Sequence, residues 1–234
     1  MSTTVMRNEQ FKAGRLSARL TQKQAAEALG VSQPYLSQLE KGQRPVTPEL
    51  ARAAVRLYRV PATALPLPEP LTEGNVADAT QLARQLSGLG YPGFAHLRPR
   101  STNPAAVVLE ALLQKDLETR LTEALPWVLL KYPDLDWSWL VRHAKLLDVQ
   151  NRLGFLIAVS KALATDRPEF ESAFRQLSAV ERQLDRARLA REDTLCRESM
   201  PTAERRWLKT HRSALARYWN LLTGLTADQL SYAP

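Results

Sequence analysis

Apolar residues recur at intervals of three or four positions along most of the 234-residue chain, which is the spacing of helices that bury one face. No segment alternates apolar and polar residues over the length of a typical strand, and no motif returns at a fixed period. The pattern predicts an all-α protein with an N-terminal bundle of four to five helices and a helical C-terminal domain.

In the first third of the chain, apolar spacing and capping residues predict four short helices and a closing turn at residues 61–65. The first helix carries three apolar residues on one face, Phe11, Leu16 and Leu20. Each of the next three follows a residue whose side chain can accept hydrogen bonds from free backbone N–H groups, namely Thr21, Ser32 and Thr47. Gly30 and Gly42 end the second and third helices.

Three closely spaced prolines, Pro66, Pro68 and Pro70, disfavour helix and predict a linker. A helix over residues 76–89 and an irregular connection rich in glycine and proline follow it. We therefore divide the chain into an N-terminal domain at residues 1–68, a connecting region at 69–103 and an all-helical domain at 104–234.

Prolines and apolar stripes predict the helices of the third region. Asn103 caps a helix that starts at Pro104, and Pro126 and Pro133 bound a short helix. Further helices are expected at residues 136–147, 149–164 and 203–222. Residues 169–197 interleave charges of both signs, which is typical of an exposed helix or of an arm that faces a partner.

All five tryptophans lie in this third region. Trp137 and Trp139 are two positions apart on one predicted helix, so their side chains point to different sides. Either one of them is exposed and marks a binding surface, or both are buried between different neighbours.

Positive charge is concentrated in the first region. Residues 1–68 hold ten Lys and Arg against four Asp and Glu, a difference of +6, whereas the remaining residues hold twenty-two against twenty, a difference of +2. A basic first third is typical of a domain that contacts DNA or RNA, although many small basic domains bind nothing charged.

Cysteine content and the apolar segments bear on the location of the protein. A single cysteine, Cys196, excludes an internal disulfide and suits a reducing cytoplasm. The N-terminus lacks a signal-peptide pattern, and the apolar stretch at residues 153–159 is too short to span a membrane. We expect a soluble, cytoplasmic protein that does not contact a membrane.

No catalytic, cofactor or metal site is predicted, and we expect the protein not to be an enzyme. Cysteine or carboxylate neighbours at metal-ligand spacing are missing around the three histidines, His96, His143 and His211. Phosphate-binding loops and hydrolase motifs are missing as well. A carboxylate cluster could be formed by Asp134, Asp136 and Asp148. Helix capping and helix termination explain these residues more simply.

Residues 21–42 have the features of two helices that cross at a steep angle. Ala25 is small enough for a close crossing, and Gly30 separates the helices. The outward face of the second helix is polar at its front and basic at its end, which suits base edges flanked by phosphates. This face consists of Gln33, Pro34, Tyr35, Ser37, Gln38 and Lys41. A helical hairpin within a generic bundle is the alternative.

With these features, residues 8–65 resemble the repressor-type helix-turn-helix family of phage repressors, Cro proteins and XRE-like bacterial regulators. The resemblance implies that Gln33 and Gln38 reach base edges, with Gln33 able to pair with adenine. Gln22 would bind a phosphate and support Gln33. The other implied phosphate contacts are Ser32, Tyr35, Lys41 and Arg44.

The same resemblance implies a structural ion pair between Arg15 and Glu40, which joins the first helix to the end of the third. Pro34 departs from the family, whose members commonly carry a polar base-reading residue there, so we expect only shape or methyl contact from it. The implied partner is double-stranded DNA, with a palindromic operator bound by a homodimer.

The third region adds a second resemblance, carried by residues 89–97, 103–104, 123–137 and 150–155. These segments resemble the C-terminal region of bacterial regulators that are encoded beside nucleotidyltransferase-like toxins. The resemblance implies an antitoxin that represses its own operon and neutralises a cognate toxin. The alternative is a ligand-responsive repressor whose helical domain binds a small molecule. An enzyme fused to a DNA-binding module would need a cluster of titratable groups that the sequence does not show.

Overall fold

Helices dominate the computed structural model, which describes residues 8–68 and 77–230. Twelve α-helices and one pair of two-residue strands lie in these ranges, and this confirms the all-α prediction. Pro70 of the predicted linker and Val76 at the predicted helix start lie outside the described residues. The helices are α1 (Asn8–Ser17), α2 (Gln22–Ala28), α3 (Gln33–Glu40), α4 (Pro48–Tyr58), α5 (Ala79–Gly88), α6 (Pro104–Leu112), α7 (Thr119–Lys131), α8 (Trp137–Leu146), α9 (Gln150–Ala164), α10 (Glu171–Asp185), α11 (Thr202–His211) and α12 (Ala214–Tyr218), and the strands are β1 (Asp193–Thr194) and β2 (Leu221–Leu222).

Two compact units make up the described chain. Residues 8–68 and 101–103 form the first unit, and residues 77–100 and 104–230 form the second. Asn103 precedes α6, and its side-chain amide donates hydrogen bonds to the backbone oxygens of Thr63 and Leu65, at 3.0 and 2.7 Å. Residues 101–103 are thereby held within the first unit.

Helices α1 to α4 enclose the core of the first unit. The three predicted N-caps are confirmed, since the side-chain oxygens of Thr21, Ser32 and Thr47 each accept a hydrogen bond from the backbone N–H three residues on. The rings of Phe11 and Tyr58 pack edge to face, with centroids 5.6 Å apart. Leu16, which the spacing placed on the inward face of α1, is 56% exposed, because Phe11 and Arg15 occupy the inward positions.

Helix α9 forms the centre of the second unit and packs against α7 and α10. Its Gly154 allows Trp219 to approach, since a Cβ at this position would lie 2.3 Å from the indole ring. On the same helix, the Nε and Nη2 atoms of Arg152 contact the carboxylate of Asp193 at 2.7 and 3.0 Å. This pair ties β1 to α9, and β1 runs parallel to β2 with Asp193 opposite Leu221.

Three helix predictions for this unit are wrong. Pro126 lies inside α7 instead of bounding a short helix, because the buried packing of this segment outweighs the loss of one backbone N–H donor. The helix predicted at 203–222 is divided into α11, α12 and β2, since Ser213 accepts a hydrogen bond from the N–H of Ala216 and starts a new helix. The exposed helix or arm predicted at residues 169–197 extends only over α10, which turns an apolar stripe inward and ends at Asp185, after which the chain enters β1.

The two neighbouring tryptophans of α8 are both buried. Trp137 and Trp139 are 8% and 5% exposed, so neither marks a binding surface. The second of the two alternatives is therefore correct. Trp207 on α11 is the tryptophan that reaches solvent, with 56% of its surface exposed.

Candidate nucleic-acid interface

A tight turn sets the crossing of α2 and α3. Gly30 follows α2 with a φ of +67°, a left-handed conformation that costs little without a side chain. The helices meet at Ala25 and Ala26 of α2 and Leu36 and Leu39 of α3, all of them buried. These contacts leave the opposite side of α3 free of the core.

The side of α3 that turns away from the core carries the predicted base-reading residues. Gln33 and Pro34 at its front are exposed, and Ser37 and Gln38 one turn later are partly exposed. Several polar or basic side chains that could contact phosphates surround this row, and they are Ser32, Tyr35, Lys41 and Arg44. We call this surface, formed by all eight residues, the reading face.

A chain of hydrogen bonds runs from the core to the front of the reading face. The guanidinium of Arg15 contacts both carboxylate oxygens of Glu40, at 2.5 and 2.9 Å. Gln22 donates from Nε2 to Glu40 at 2.9 Å, and Gln33 donates from Nε2 to Oε1 of Gln22 at 3.0 Å. Glu40 is 8% exposed and Gln33 is exposed, so this series of hydrogen bonds joins a buried ion pair to a surface amide.

The charge of Glu40 determines which group donates and which accepts in each of these hydrogen bonds. An ionised carboxylate only accepts hydrogen bonds, so Gln22 must turn its NH₂ group to Glu40 and its oxygen to Gln33. Gln33 must then donate to Gln22, which leaves its own oxygen and one N–H for a ligand. One acceptor and one donor side by side match the N6 and N7 edge of adenine in the major groove.

Glu40 stays ionised although it is buried. Burial by itself raises the pKa of Glu40, but hydrogen bonds from Arg15 and Gln22 and the charge of Arg15 lower it by more. The net pKa is below the usual value for a glutamate. Glu40 can therefore hold the Gln22 amide in one orientation at neutral pH.

Two features of the reading face were not predicted from the sequence. Asn8 donates from its side-chain amide to the backbone oxygens of Leu39 and Arg44, the latter at 2.8 Å. It thus holds the loop that carries Lys41 and Arg44. The hydrogen bond between Gln22 and Glu40 was also missed, because the resemblance assigned Glu40 only to Arg15. The sequence signal for Asn8, an amide at a helix start, is indistinguishable from that of a simple cap.

The basic end of the reading face lies beyond α3. The guanidinium of Arg44 lies 5.6 Å from the centre of the Tyr35 ring. Lys41 is exposed, and neither Lys41 nor Arg44 forms a salt bridge within the described residues. Both cations are therefore available to phosphate oxygens.

Residues considered for other chemistry have structural contacts of their own. Asp136 caps α8 by accepting from the backbone N–H of Trp139 at 2.9 Å, while the ring of His143 packs against that of Trp139 at a tilt of 34°. Burial raises the pKa of the Cys196 thiol to about 11, so this side chain stays protonated at neutral pH. Within residues 8–68 and 77–230, no three His, Cys, Asp or Glu side chains are grouped as a metal site would require. No helix in those ranges has the length and apolar character needed to cross a bilayer.

Comparison with known proteins agrees with the geometry of the first unit. Residues 9–67, about a quarter of the chain, match the family model described as a helix-turn-helix domain. No curated protein and no solved structure shows significant similarity to the chain. The match and the reading face together support a DNA-binding regulator.

Proposed function

We propose that this chain is a transcriptional repressor that reads a palindromic DNA operator as a homodimer. The observation that carries the proposal is the exposed Gln33 amide, which Gln22 and the buried Glu40 hold in one orientation. A surface glutamine loses rotamer freedom when it is held in this way. Such preorganisation favours a ligand that needs an oxygen and an N–H side by side, as adenine does.

The remainder of the reading face supplies contacts that position the protein on the duplex. Lys41 and Arg44 add charge to attract phosphates, while Gln22 and Ser32 lie at helix starts, where backbone N–H groups favour anions. Pro34 and Tyr35 offer apolar surface, which suits a thymine methyl group. The proposal assigns no catalytic role and no cofactor to any of these residues.

The sharpest test compares a base-reading residue with a phosphate-binding one. After an operator is selected from random duplexes with the full-length protein, Gln33→Ala is expected to weaken operator binding by on the order of 1–3 kcal/mol and to relax preference at one base position. Lys41→Ala is expected to weaken operator and random DNA alike, because a phosphate contact carries no sequence information. Gel-shift titration at a fixed salt concentration measures both.

A matched control is available in the second unit. Gln176 is an exposed glutamine on α10, so Gln176→Ala makes the same chemical change away from the reading face and should leave DNA affinity unchanged. An equal loss of affinity for operator and random DNA in Gln33→Ala would refute base reading by this residue.

The specific role that we propose for this repressor is that of the autoregulating antitoxin of a toxin–antitoxin pair. Its first unit binds the operator and its second unit binds the toxin. The support for this role is the resemblance of residues 89–97, 103–104, 123–137 and 150–155 to regulators encoded beside nucleotidyltransferase-like toxins. Co-expression with the product of the adjoining gene tests it. The expected result is a stable complex and rescue of growth, and a harmless neighbour that does not bind would remove the antitoxin role.

A ligand-responsive repressor is the second candidate, and one observation favours it. The second unit contains a cavity of about 300 Å³ beside α11, close to the lower limit of roughly 300 Å³ for small-molecule sites. An effector in this cavity would change operator affinity without a protein partner. Measuring operator binding before and after addition of the effector distinguishes this candidate from the antitoxin.

A further inference from the structure

The cavity of the second unit has an apolar floor. Met200, Leu208 and Leu222 form a small hydrophobic cluster there, and each is no more than 6% exposed. Three further buried leucines line it as well, Leu117, Leu195 and Leu225. The floor is thus suited to the apolar body of a small molecule.

Trp207 of α11 adds an exposed aromatic wall to this cavity. The imidazole of His211 is stacked on its indole, with ring centroids 4.4 Å apart and planes 2° apart. Although His211 packs against it, the tryptophan remains 56% exposed. An indole face held in place beside a pocket attracts cations through its negative π surface.

Among the described residues, the charged groups of the lining sum to one negative charge. Arg197 and Glu204 form an ion pair with an Nη1–Oε1 distance of 2.5 Å and so neutralise each other. Glu123 of α7 also lines the cavity. Its carboxylate forms no hydrogen bond or ion pair with the rest of the described chain. A partly buried carboxylate without a partner favours a cationic ligand.

We propose that this cavity binds a small organic ammonium compound, with its apolar body on the leucine floor and its ammonium group between Glu123 and Trp207. Charge complementarity selects this class, because Arg197, the cation that the described part of the chain places in the lining, is already paired. A carboxylate ligand would meet Glu123 and be repelled. Ligand binding itself needs no DNA. Only the effect of this site on transcription rests on the second candidate function, the ligand-responsive repressor.

Three probes of similar shape test the ligand class on the full-length protein. Phenethylamine carries the ammonium group, 2-phenylethanol is its neutral analogue and 3-phenylpropionate is its anionic analogue. Ligand-observed NMR titration is expected to give a dissociation constant at least about tenfold lower for the amine than for the alcohol, and no binding of the carboxylate. Equal affinity for amine and alcohol, or preference for the carboxylate, would overturn the proposal.

Two charge variants locate the ammonium group. Glu123→Gln should weaken amine binding by about tenfold or more while leaving the alcohol unaffected. Glu118→Gln makes the same change at the exposed start of α7, outside the cavity lining, and should have no effect. If both variants bind the amine as the wild type does, Glu123 is not its partner and the proposal fails.

A third variant adds bulk at a glycine of the cavity lining. Gly224 lines the cavity, its φ is not in the left-handed range, and an added Cβ would have no atom within 4 Å. Gly224→Val should therefore weaken amine binding and leave the thermal midpoint unchanged. Unchanged amine affinity in this variant would place the ligand elsewhere and overturn the site.

The effect on DNA is measured separately, so that the two proposals can fail independently. A protein that binds the operator but not the amine would refute the cavity site and leave the repressor proposal unaffected. Amine binding to a protein that recognises no operator would support the site and refute the repressor.

Discussion

At the scale of single residues, Glu40 connects the stability of the first unit to its proposed chemistry. Its carboxylate is buried, accepts from Arg15 on the core side and from Gln22 on the surface side, and keeps a lowered pKa. Removing one partner of a buried ion pair leaves the other charge without compensation. Replacing Glu40 would also release the side chain of Gln22 and, through it, that of Gln33.

We predict that Glu40→Gln destabilises the first unit by about 3 kcal/mol, the lower end of the range for breaking a buried pair. All five tryptophans lie in the second unit, so hydrogen exchange of the α3 amides, and not tryptophan fluorescence, is the appropriate measurement. Glu49→Gln at an exposed i,i+3 pair serves as control and should change the opening free energy by less than about 0.5 kcal/mol. Similar values for the two variants would contradict a structural role of the Arg15–Glu40 pair.

The lowered pKa of Glu40 also predicts a pH dependence. A carboxyl group with a folded pKa below its unfolded value, about 4.3 for glutamate, contributes its full stability above the unfolded value and loses it as the pH falls through the folded pKa. Stability of the first unit should therefore decline below about pH 4.3. The difference between wild type and Glu40→Gln should shrink over the same range in hydrogen-exchange measurements. A difference that stays constant down to pH 3 would show that Glu40 does not titrate there.

At the scale of helices and strands, one glycine contact organises the second unit. Trp219 is fully buried, follows α12 and packs on Gly154 of α9. Reaching α9 requires the chain to bend between α11 and α12, where Ser213 caps the new helix. The contact accounts for the division of a segment whose apolar pattern predicted one continuous helix.

We predict that Gly154→Ala destabilises the second unit by about 2 kcal/mol, the middle of the range for overpacking a close contact. The added Cβ would lie 2.3 Å from the indole, and Trp219 is fully buried, so any shift of the ring must displace its neighbours. Urea denaturation followed by tryptophan fluorescence measures the change. Gly224→Ala is the matched control, since its Cβ meets no atom within 4 Å, and equal midpoints for the two variants would contradict the contact.

At the scale of the whole molecule, the uneven charge distribution accords with the proposed division of roles. The first 68 residues carry most of the net charge of +8, and the remainder is nearly balanced. A single helix-turn-helix module buries little surface on DNA, and two modules linked in one dimer bind cooperatively through their raised effective concentration.

We predict that operator affinity depends on the spacing of two half-sites. Their centres should lie about 34–36 Å apart, one turn of the duplex or a multiple of it. Inserting 5 base pairs turns one half-site to the opposite side of the helix and should weaken binding by at least about tenfold, whereas inserting a full turn should cost less. Gel-shift titration on the three duplexes measures this, and affinity that does not depend on spacing would argue against a dimer.

Local interactions made much of the first unit predictable from sequence. Thr21, Ser32 and Thr47 cap helices because each bonds to a backbone N–H only three residues away. Gly30 turns the chain because of its own backbone freedom. Such effects depend on a few neighbouring residues, so helix positions, the all-α class and the helix-turn-helix domain could be inferred without coordinates.

The tertiary structure alone decided the features that depend on residues far apart in the chain. Pro126 continues a helix because of the packing around it, and Trp137 is buried by neighbours that its spacing does not identify. The link between Gln22 and Glu40 spans 18 positions, and the cavity beside Trp207 is lined by residues from 117 to 229. Local sequence pattern carries no information about which distant side chains meet, because their meeting is set by how the helices pack.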